Sequence, residues 1–275
     1  MKTAMDRKDE ALATAAVDAL IEQLRLTPKP GLPDARDLEA LATRQDLSSL
    51  RWSAKALAPG LAAMAAAARR IGEPGRALRE ELGAIGRATE RSARLAGAGH
   101  RGALWTLGLL VAAAALEPRA VPSDIMATAK RIAAHPDRRA PRRPSVGSTV
   151  SAKYGAAGAR GEARAGFPHV RRASEALARA GADGTCARLD ALLTVMSMLQ
   201  DTGLLYTAGP HGLRRVQAGA RAVLDAGGTA TEEGRAALAQ FDAGLRGDGL
   251  HPRGSGSLLA GALFLNSLPV MPAPV

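Results

Sequence analysis

The chain has 275 residues, and 47% of them are hydrophobic, which is enough to bury a substantial core in one large domain or two small ones. Its net charge is +11, but only six of the 37 basic residues are lysine, and three Phe, two Tyr and two Trp offer few stacking platforms, so we do not expect nucleic-acid binding. A single cysteine excludes an internal disulfide bond and a zinc site built from several thiols.

The apolar residues are mostly Ala and Leu, and this composition favours helices over sheets. No internal repeat or shift in composition divides residues 1–275, so we predict one all-α, multi-helical globular domain. The excess positive charge fits a small anionic ligand, but arginine-rich coding and solvated helix faces would also produce it. The helical patterns, in chain order, are Leu12–Leu24, Ser53–Arg70 with an interruption at Pro59-Gly60, Ala77–Leu95, Gly102–Leu116, Val170–Ala180, Leu189–Gln200, Leu213–Leu224, Glu232–Leu245 and Ser257–Asn266.

The sequence contains no obvious membrane or export signal. The apolar run Ala103–Leu116 is shorter than the roughly 20 residues that span a bilayer, so we expect a buried helix there. Charged residues crowd positions 2–10, where a secretory signal would build its apolar core. We therefore expect a cytoplasmic protein without membrane association.

Four polar segments interrupt the helical patterns, and we expect them to converge. In the first, Thr27–Asp34, prolines stiffen a turn that presents Lys29 and Asp34, although a plain helix-ending turn would look similar. In the second, His100 and Arg101 come just before an apolar helix, whose first N–H groups attract anions. The alternative for His100 is a capping or surface residue.

The third polar segment is Tyr154–Ala163, in which three glycines surround Arg160 and Glu162. Glycine permits positive φ and close approach of the backbone to a ligand, and arginine grips phosphate in a bidentate manner. The fourth segment places Asp201 at the end of an apolar helix. Because the helix dipole disfavours a carboxylate there, Asp201 is predicted to pair with an arginine or to hold a metal ion.

A fifth stretch, His135–Pro144, is rich in Pro and Arg and is predicted to be a loop or lid. Its four arginines would suit a polyphosphate, but a solvated linker explains them as well. We do not include this stretch in the predicted site.

Taken in order, the polar segments resemble the motifs of the triphosphoribosyl-dephospho-CoA synthases, which serve malonate decarboxylase and citrate lyase. The matching segments are Pro28–Asp34, His100–Leu110, Tyr154–Pro168, Asp201–Leu205 and Leu258–Leu265. They follow the order of the family and cover nearly the whole chain.

The resemblance implies an all-helical pentosyltransferase that transfers the 5-triphosphoribosyl group of ATP to 3′-dephospho-CoA and releases adenine. Its product would pass to a prosthetic-group transferase and an acyl carrier protein. Breaking the N-glycosidic bond of ATP develops positive charge on the sugar. The site therefore needs a carboxylate near the sugar, a proton source for adenine and cations for the triphosphate.

The resemblance and this chemistry together give a set of predicted site residues. The catalytic residues are Glu162, His100 and Asp34, and the ligands of a Mg²⁺ ion are Asp201 and Asp34. The residues predicted to bind substrate are Lys29, Gly31, Arg101, Gly102, Tyr154, Gly155, Gly158, Arg160, Gly161 and Ser255. The division of roles among the three carboxylates stays open.

Several polar positions of the family pattern are replaced in this chain. Glu39-Ala40-Leu41 stands where the family has Gly-Ala-His, and Gly203 stands where it has Asn. These replacements leave a second hypothesis, a diverged and possibly non-catalytic paralogue that binds a nucleotide or coenzyme during coenzyme assembly.

Overall fold

The central element of the fold is a helix that is apolar on all sides. A computed structural model of the chain describes residues 4–38, 47–141, 144–179 and 184–269. Their regular elements are all helical, which confirms the predicted all-α class. The helices are α1 (Ala4–Arg25), α2 (Leu47–Lys55), α3 (Ala58–Ile71), α4 (Arg76–Leu95), α5 (Arg101–Leu116), α6 (Pro122–Ala134), α7 (Val146–Tyr154), α8 (Gly158–Arg164), α9 (Pro168–Arg179), α10 (Thr185–Met196), α11 (Thr202–Asp225), α12 (Glu232–Gly247) and α13 (Arg253–Ser267).

Helix α5 and helix α13 form the middle of the core. Both are buried along most of their length, and α5 is in contact with α1, α3, α4, α6, α8 and α13. A methyl group at Gly102 would lie 2.8 Å from Ser257 Oγ, and one at Gly261 would lie 2.9 Å from Thr106 Cγ2. These two contacts are one turn apart on each helix, so α5 and α13 run in the same direction. Their N-termini therefore lie at the same end of the molecule.

The region predicted as one interrupted helix, Ser53–Arg70, consists of two helices. Pro59 and Gly60 do not interrupt a helix but belong to the first turn of α3. Proline is favourable there because its missing N–H has no intrahelical acceptor at that position. The break falls just before α3 instead, between Lys55 and Ala58.

Three helices were missed by the sequence patterns. Helix α6 follows Val121, and α7 begins with a capping box in which Ser148 N donates to Ser145 Oγ at 3.2 Å. Helix α8 lies inside the glycine-rich segment, so the predicted site of inter-helix loops is in part helical. A seven-residue helix is too short to give a periodic signal.

Helix α11 starts earlier than the predicted Leu213. It begins at Thr202 and is kinked at Gly209, whose φ of 65° and ψ of −168° are not helical, with Pro210 next in the chain. In the described part of the chain, no helix is both long and apolar enough to cross a membrane. Of the residues singled out above, Glu39–Leu41, Arg142, Arg143 and Ala180 lie outside the described ranges.

Candidate active site

The start of α5 already contacts a buried acid, since His100 N donates to Glu90 Oε2 at 3.1 Å. The N-cap residue is His100, but its Nε2 lies 2.7 Å from Ser53 Oγ and 3.1 Å from the Leu50 carbonyl oxygen, both on α2. Burial lowers the pKa of His100, while the Leu50 carbonyl and Glu90 oppose this shift. His100 is thus a buried neutral imidazole facing α2. The next N–H groups, from Arg101 to Ala103, have no acceptor among the described residues and can bind an anion.

The next two residues face this opening. Arg101 is exposed, and Gly102 is partly exposed beside Ser257 in the first turn of α13. Because a methyl group at Gly102 would lie 2.8 Å from Ser257 Oγ, this glycine lets the two helix starts come together.

A buried hydroxyl lies in the same turn of α13. Ser255 is 1% exposed, and among the described residues its Oγ has no hydrogen-bond partner. A buried polar group without a partner is costly, so native proteins seldom retain one without a use. Arg253, two residues earlier, is exposed. Ser255 was predicted to bind substrate, and its surroundings are compatible with that role.

Asp201 ties α13 to α11. One of its oxygens accepts from Gly203 N at 2.7 Å and from Leu204 N at 3.2 Å, and the other accepts from Gly254 N at 2.8 Å. Asp201 therefore caps the start of α11, and its predicted position at the end of an apolar helix was wrong, because α10 ends at Met196. Burial raises the pKa of Asp201, and the three N–H donors oppose this shift.

The glycine-rich segment reaches the same group of helix starts. Gly158, with φ of +58°, opens α8, and a methyl group there would lie 3.2 Å from Thr202 Cγ2 in the first turn of α11. Gly155 ends α7 in the left-handed conformation and faces open space. Tyr154 is partly buried, and its hydroxyl lies near Gly209 at the kink of α11.

The remaining members of this segment lie on α8. Gly161 is partly exposed, and Arg160 is exposed. Helix α8 is held to α5 by a hydrogen bond of 3.0 Å from Trp105 Nε1 to the Ala159 carbonyl oxygen. Arg160 is therefore the next residue after the point where α8 contacts α5.

Glu162 has a partner that the sequence patterns did not reveal. Its Oε2 lies 2.6 Å from Nδ1 of His169, and its Oε1 accepts from His169 N at 2.9 Å. Phe167, between them in sequence, has φ of +57°, an uncommon value for a bulky residue that is often found near functional sites. The Gly166-Phe167-Pro168-His169 string was the available signal, but a pairing across seven positions depends on that unusual turn.

The first polar segment belongs to a separate group of charged residues around the buried Asp34 and Asp242. We call this group the paired network, and its members are Asp34, Arg36, Asp37, Asp242 and Arg246. Arg36 bonds Asp34 and also reaches Asp242 at 2.7 Å, while Arg246 bonds Asp37 at 2.8 Å. Burial disfavours the ionised form of Asp34, but hydrogen bonds from Arg36 and from the Lys29 N–H outweigh it, so the pKa of Asp34 is lowered.

Lys29 and Gly31 are hydrogen-bonded to this network through their backbone N–H groups. Lys29 is 2% exposed and donates from Nζ to the Gln23 carbonyl oxygen at 3.2 Å. Burial lowers its pKa to about 8, against the attraction of Asp34 and Asp37. Gly31 has φ of +63° and is so close to the Leu250 carbonyl oxygen that a side chain would collide with it. Both residues are therefore engaged in packing in this structure, and their predicted contact with substrate stays a prediction.

The carboxylates predicted to hold Mg²⁺ do not fit a metal site of the protein's own. The oxygens of Asp34 accept from Arg36 and from backbone N–H groups, and those of Asp201 accept from three N–H groups. Among the described residues, no cluster of three or more His, Cys, Asp or Glu side chains is close enough to hold a metal ion.

The structure thus brings four of the five motif segments to one place. The starts of α5, α11 and α13 meet through Gly102, Asp201 and Gly254, and the glycine-rich segment joins them at Gly158. The first segment contacts the residues just before α13, because His251 Nδ1 lies 2.7 Å from the Gly31 carbonyl oxygen. We call the shared opening at the starts of α5 and α13 the helix-start site.

Comparison with known proteins gives a consistent result. Residues 9–273 match the family model described as ATP:dephospho-CoA triphosphoribosyl transferase. The chain is 47% identical to a probable 2-(5″-triphosphoribosyl)-3′-dephosphocoenzyme-A synthase from Azotobacter vinelandii over 276 residues, which is 97% of this chain and 94% of the relative. Proteins of the same name from Pseudomonas fluorescens Pf-5 and Stutzerimonas stutzeri are 48% and 46% identical, covering 94% and 97% of this chain and 91% and 94% of the relatives. No solved structure matches the chain.

Proposed function

Because this chain belongs to the ATP:dephospho-CoA triphosphoribosyl transferase family, we propose that it transfers the 5-triphosphoribosyl group of ATP to 3′-dephospho-CoA and releases adenine. The N-glycosidic bond of ATP breaks, and a ribose hydroxyl of the acceptor forms a new bond to the anomeric carbon. The hydroxyl proton and the departing adenine are the two groups that exchange protons with the site. The relatives support this reaction, and they lend no support to a non-catalytic paralogue.

The observation that carries the proposal is the helix-start site. It combines the N–H groups that follow His100 in the first turn of α5 with the exposed side chains of Arg101 and Arg253 and the unpartnered hydroxyl of Ser255. The N-terminal ends of α5 and α13 both present the positive pole of a helix dipole to this opening. Positive poles, arginines and a free hydroxyl donor are what a triphosphate needs, so we place the triphosphate of ATP here.

Proton transfer is assigned to the pair of Glu162 and His169. His100 faces Ser53 and Leu50 and is 7% exposed, so the proton-transfer role predicted for it passes to His169. Glu162 holds one ring nitrogen of His169, which fixes the orientation of the ring and leaves the other nitrogen to accept or donate a proton. Glu162 is then a positioning residue.

The other predicted residues take supporting roles. Asp201 holds the starts of α11 and α13 in place, and Asp34 holds the loop that carries Lys29 and Gly31 against α12. Because the carboxylates do not fit a Mg²⁺ site, no step of the reaction is assigned to a metal ion. Delivery of the product to a prosthetic-group transferase and an acyl carrier protein, and a cytoplasmic location, belong to the same proposal.

The reaction is tested by incubating the purified protein with ATP, Mg²⁺ and 3′-dephospho-CoA. We expect free adenine by chromatography and an equal amount of coupled product by mass spectrometry. A folded protein that binds both substrates and yields neither product would refute the reaction in favour of the paralogue.

Placement of the triphosphate is tested with Ser255→Ala. Removing the hydroxyl should raise KM for ATP by about tenfold, since a hydrogen bond to a charged group contributes roughly 1.5–3 kcal/mol. The melting temperature should stay the same or rise, because a buried group without a partner is removed. Ser174→Ala is the matched control, since Ser174 Oγ in α9 is also buried without a partner among the described residues. An unchanged KM in Ser255→Ala would remove the triphosphate from this site.

A further inference from the structure

A second group of cations lies one turn beyond the helix-start site. We call Arg79, Arg87, Arg160 and Arg164 the arginine cluster. Arg87 contacts the buried carboxylate of Asp137 at 2.6 Å, and Arg79 reaches the same oxygen at 3.7 Å. Two guanidinium groups therefore share one buried acid, and the charges of Arg160 and Arg164 act on Arg79 from α8.

Trp105 connects the two halves of the cluster. The guanidinium carbon of Arg79 lies 4.8 Å from the centre of the Trp105 ring, and Trp105 Nε1 donates to the Ala159 carbonyl oxygen. Arg160 follows Ala159 directly, and Arg164 is one turn further along α8. The cluster is thus continuous from α4 through α5 to α8.

The cluster has more positive charge than its surroundings neutralise. Arg79 is 7% exposed, and its only carboxylate within 4.0 Å in the described residues is the one that Arg87 holds more closely. Burial lowers the pKa of Arg79, Asp137 opposes the shift, and the charges of Arg160, Arg87 and Arg164 lower it further. Arg160 has no carboxylate partner within the described residues. Like charges held this close oppose folding unless an anion binds between them.

The position of the cluster indicates which anion it binds. Trp105 is one turn from Arg101 on α5, and Gly158 at the start of α8 contacts Thr202. The arginine cluster and the helix-start site therefore share α5 and α8 as a common wall. The acceptor carries a diphosphate a few bonds from its ribose hydroxyls, so this diphosphate must lie near the reacting sugar of ATP.

We propose that Arg79, Trp105 and Arg160 form the binding site for the diphosphate of 3′-dephospho-CoA. This inference rests on the proposed function, because it takes the acceptor from that reaction. Arginine suits the role because its planar fork donates two parallel hydrogen bonds to a phosphate. The helix-start site would then hold ATP, and the arginine cluster would hold 3′-dephospho-CoA beside it.

The test is calorimetric binding of 3′-dephospho-CoA and, separately, of ATP to the full chain. Arg160→Gln should raise Kd for 3′-dephospho-CoA by about tenfold, the effect of losing a charge-assisted hydrogen bond, and leave Kd for ATP within twofold. Arg160→Lys keeps the positive charge but loses the two parallel donors of the guanidinium group. Its Kd for 3′-dephospho-CoA should lie between those of Arg160→Gln and the native protein. Inorganic pyrophosphate should compete with 3′-dephospho-CoA for the native protein and not for Arg160→Gln.

Arg119→Gln is the matched control. Arg119 is exposed and lies beyond the C-terminal end of α5, about 24 Å along the helix from Arg101 at 1.5 Å per residue. The Arg119→Gln substitution removes one positive charge and should leave Kd for ATP and Kd for 3′-dephospho-CoA unchanged. An equal loss of affinity in Arg119→Gln would mean that net charge, and not this site, determines binding.

Two outcomes would overturn the inference. If Arg160→Gln weakened the binding of ATP but not of 3′-dephospho-CoA, the arginine cluster would bind ATP. If neither substrate bound more weakly, the arginine cluster would be a solvated surface. Because binding is measured without turnover, native protein that binds 3′-dephospho-CoA through Arg160 yet releases no adenine would refute only the proposed reaction. Normal adenine release with unchanged binding in Arg160→Gln would refute only this inference.

Discussion

The paired network and the arginine cluster are both groups of charged residues, yet they are built in opposite ways. In the paired network, Asp34, Asp37 and Asp242 face Arg36 and Arg246, and every one of these side chains has a partner. In the arginine cluster, Arg79 and Arg87 share Asp137, and Arg160 and Arg164 have no carboxylate within 4.0 Å among the described residues. A network in which every charge contacts one of the opposite sign supports the fold, whereas a cluster that contains cations without such a contact is ready for a ligand. The partners of each charge, more than the number of charges, separate structural from binding residues.

The largest effect is expected from breaking the paired network. Asp34→Ala should lower the free energy of unfolding by about 3 kcal/mol, the low end for a buried ion pair, because Arg36 loses one carboxylate but is partly exposed and keeps Asp242. Asp34 is fully buried and also accepts from Lys29 N at 2.7 Å, so backbone support for the loop is lost as well. Urea-induced unfolding measures the change.

Glu81→Ala provides the comparison for this variant. Glu81 pairs with Arg70 at 3.1 Å, but both side chains are exposed, so its loss should change stability by less than about 1 kcal/mol. If Asp34→Ala were no more destabilising than Glu81→Ala, the paired network would not hold the loop to α12.

The pH dependence of Lys29 sharpens the same comparison. Its pKa is about 8 in the folded protein and 10.5 ordinarily. Between these values the amino group is neutral when folded and charged when unfolded, so the unfolded state binds more protons and stability rises with pH. Relative to Lys29→Met, the native protein should therefore gain roughly 3 kcal/mol between pH 7 and pH 10.5, since one pKa unit corresponds to about 1.4 kcal/mol.

Urea unfolding of both proteins at pH 7, 8, 9, 10 and 10.5 gives this difference directly. Lys55→Met, at an exposed lysine of α2, should differ from the native protein by the same amount at every pH. A constant difference for Lys29→Met as well would show that the buried amino group keeps its ordinary pKa.

Much of the fold was predictable because it follows from composition and long apolar patterns. The run Ala103–Leu116 predicted a buried helix, and α5 is that helix with one boundary moved by two residues. Helices α7 and α8 were missed because nine and seven residues give too few turns for a period to show. The early start of α11 was missed because Gly209 and Pro210 lie ahead of the apolar pattern at Leu213, where the chain forms a kink and not a regular helical turn.

The predicted segments lie close together in the structure, their roles toward substrate stay predictions, and the partners of several residues were not predicted. Gly102 and Ser255 lie together at the helix starts, as an anion site before an apolar helix would require. The sequence predicted that glycines let the backbone approach a ligand. Gly102 and Gly254 instead let helices pack closely against each other in this structure. His169 was missed because its contact with Glu162 exists only in the folded chain.

The smallest effect is the most direct test of the comparison, because its sign is opposite to that of Asp34→Ala. Arg160 and Arg164 are like charges four positions apart on α8, an arrangement that destabilises a helix by about 0.2–0.5 kcal/mol. Arg160→Gln should therefore raise the free energy of unfolding by a few tenths of a kcal/mol at low ionic strength, since Gln and Arg have similar helix propensities. The gain should disappear in 0.5 M NaCl, where the Debye length is about 4 Å and exposed charges no longer repel. A loss of stability that persists at high salt would mean that Arg160 is already paired in the free protein, and the surplus charge that distinguishes the arginine cluster from the paired network would not exist.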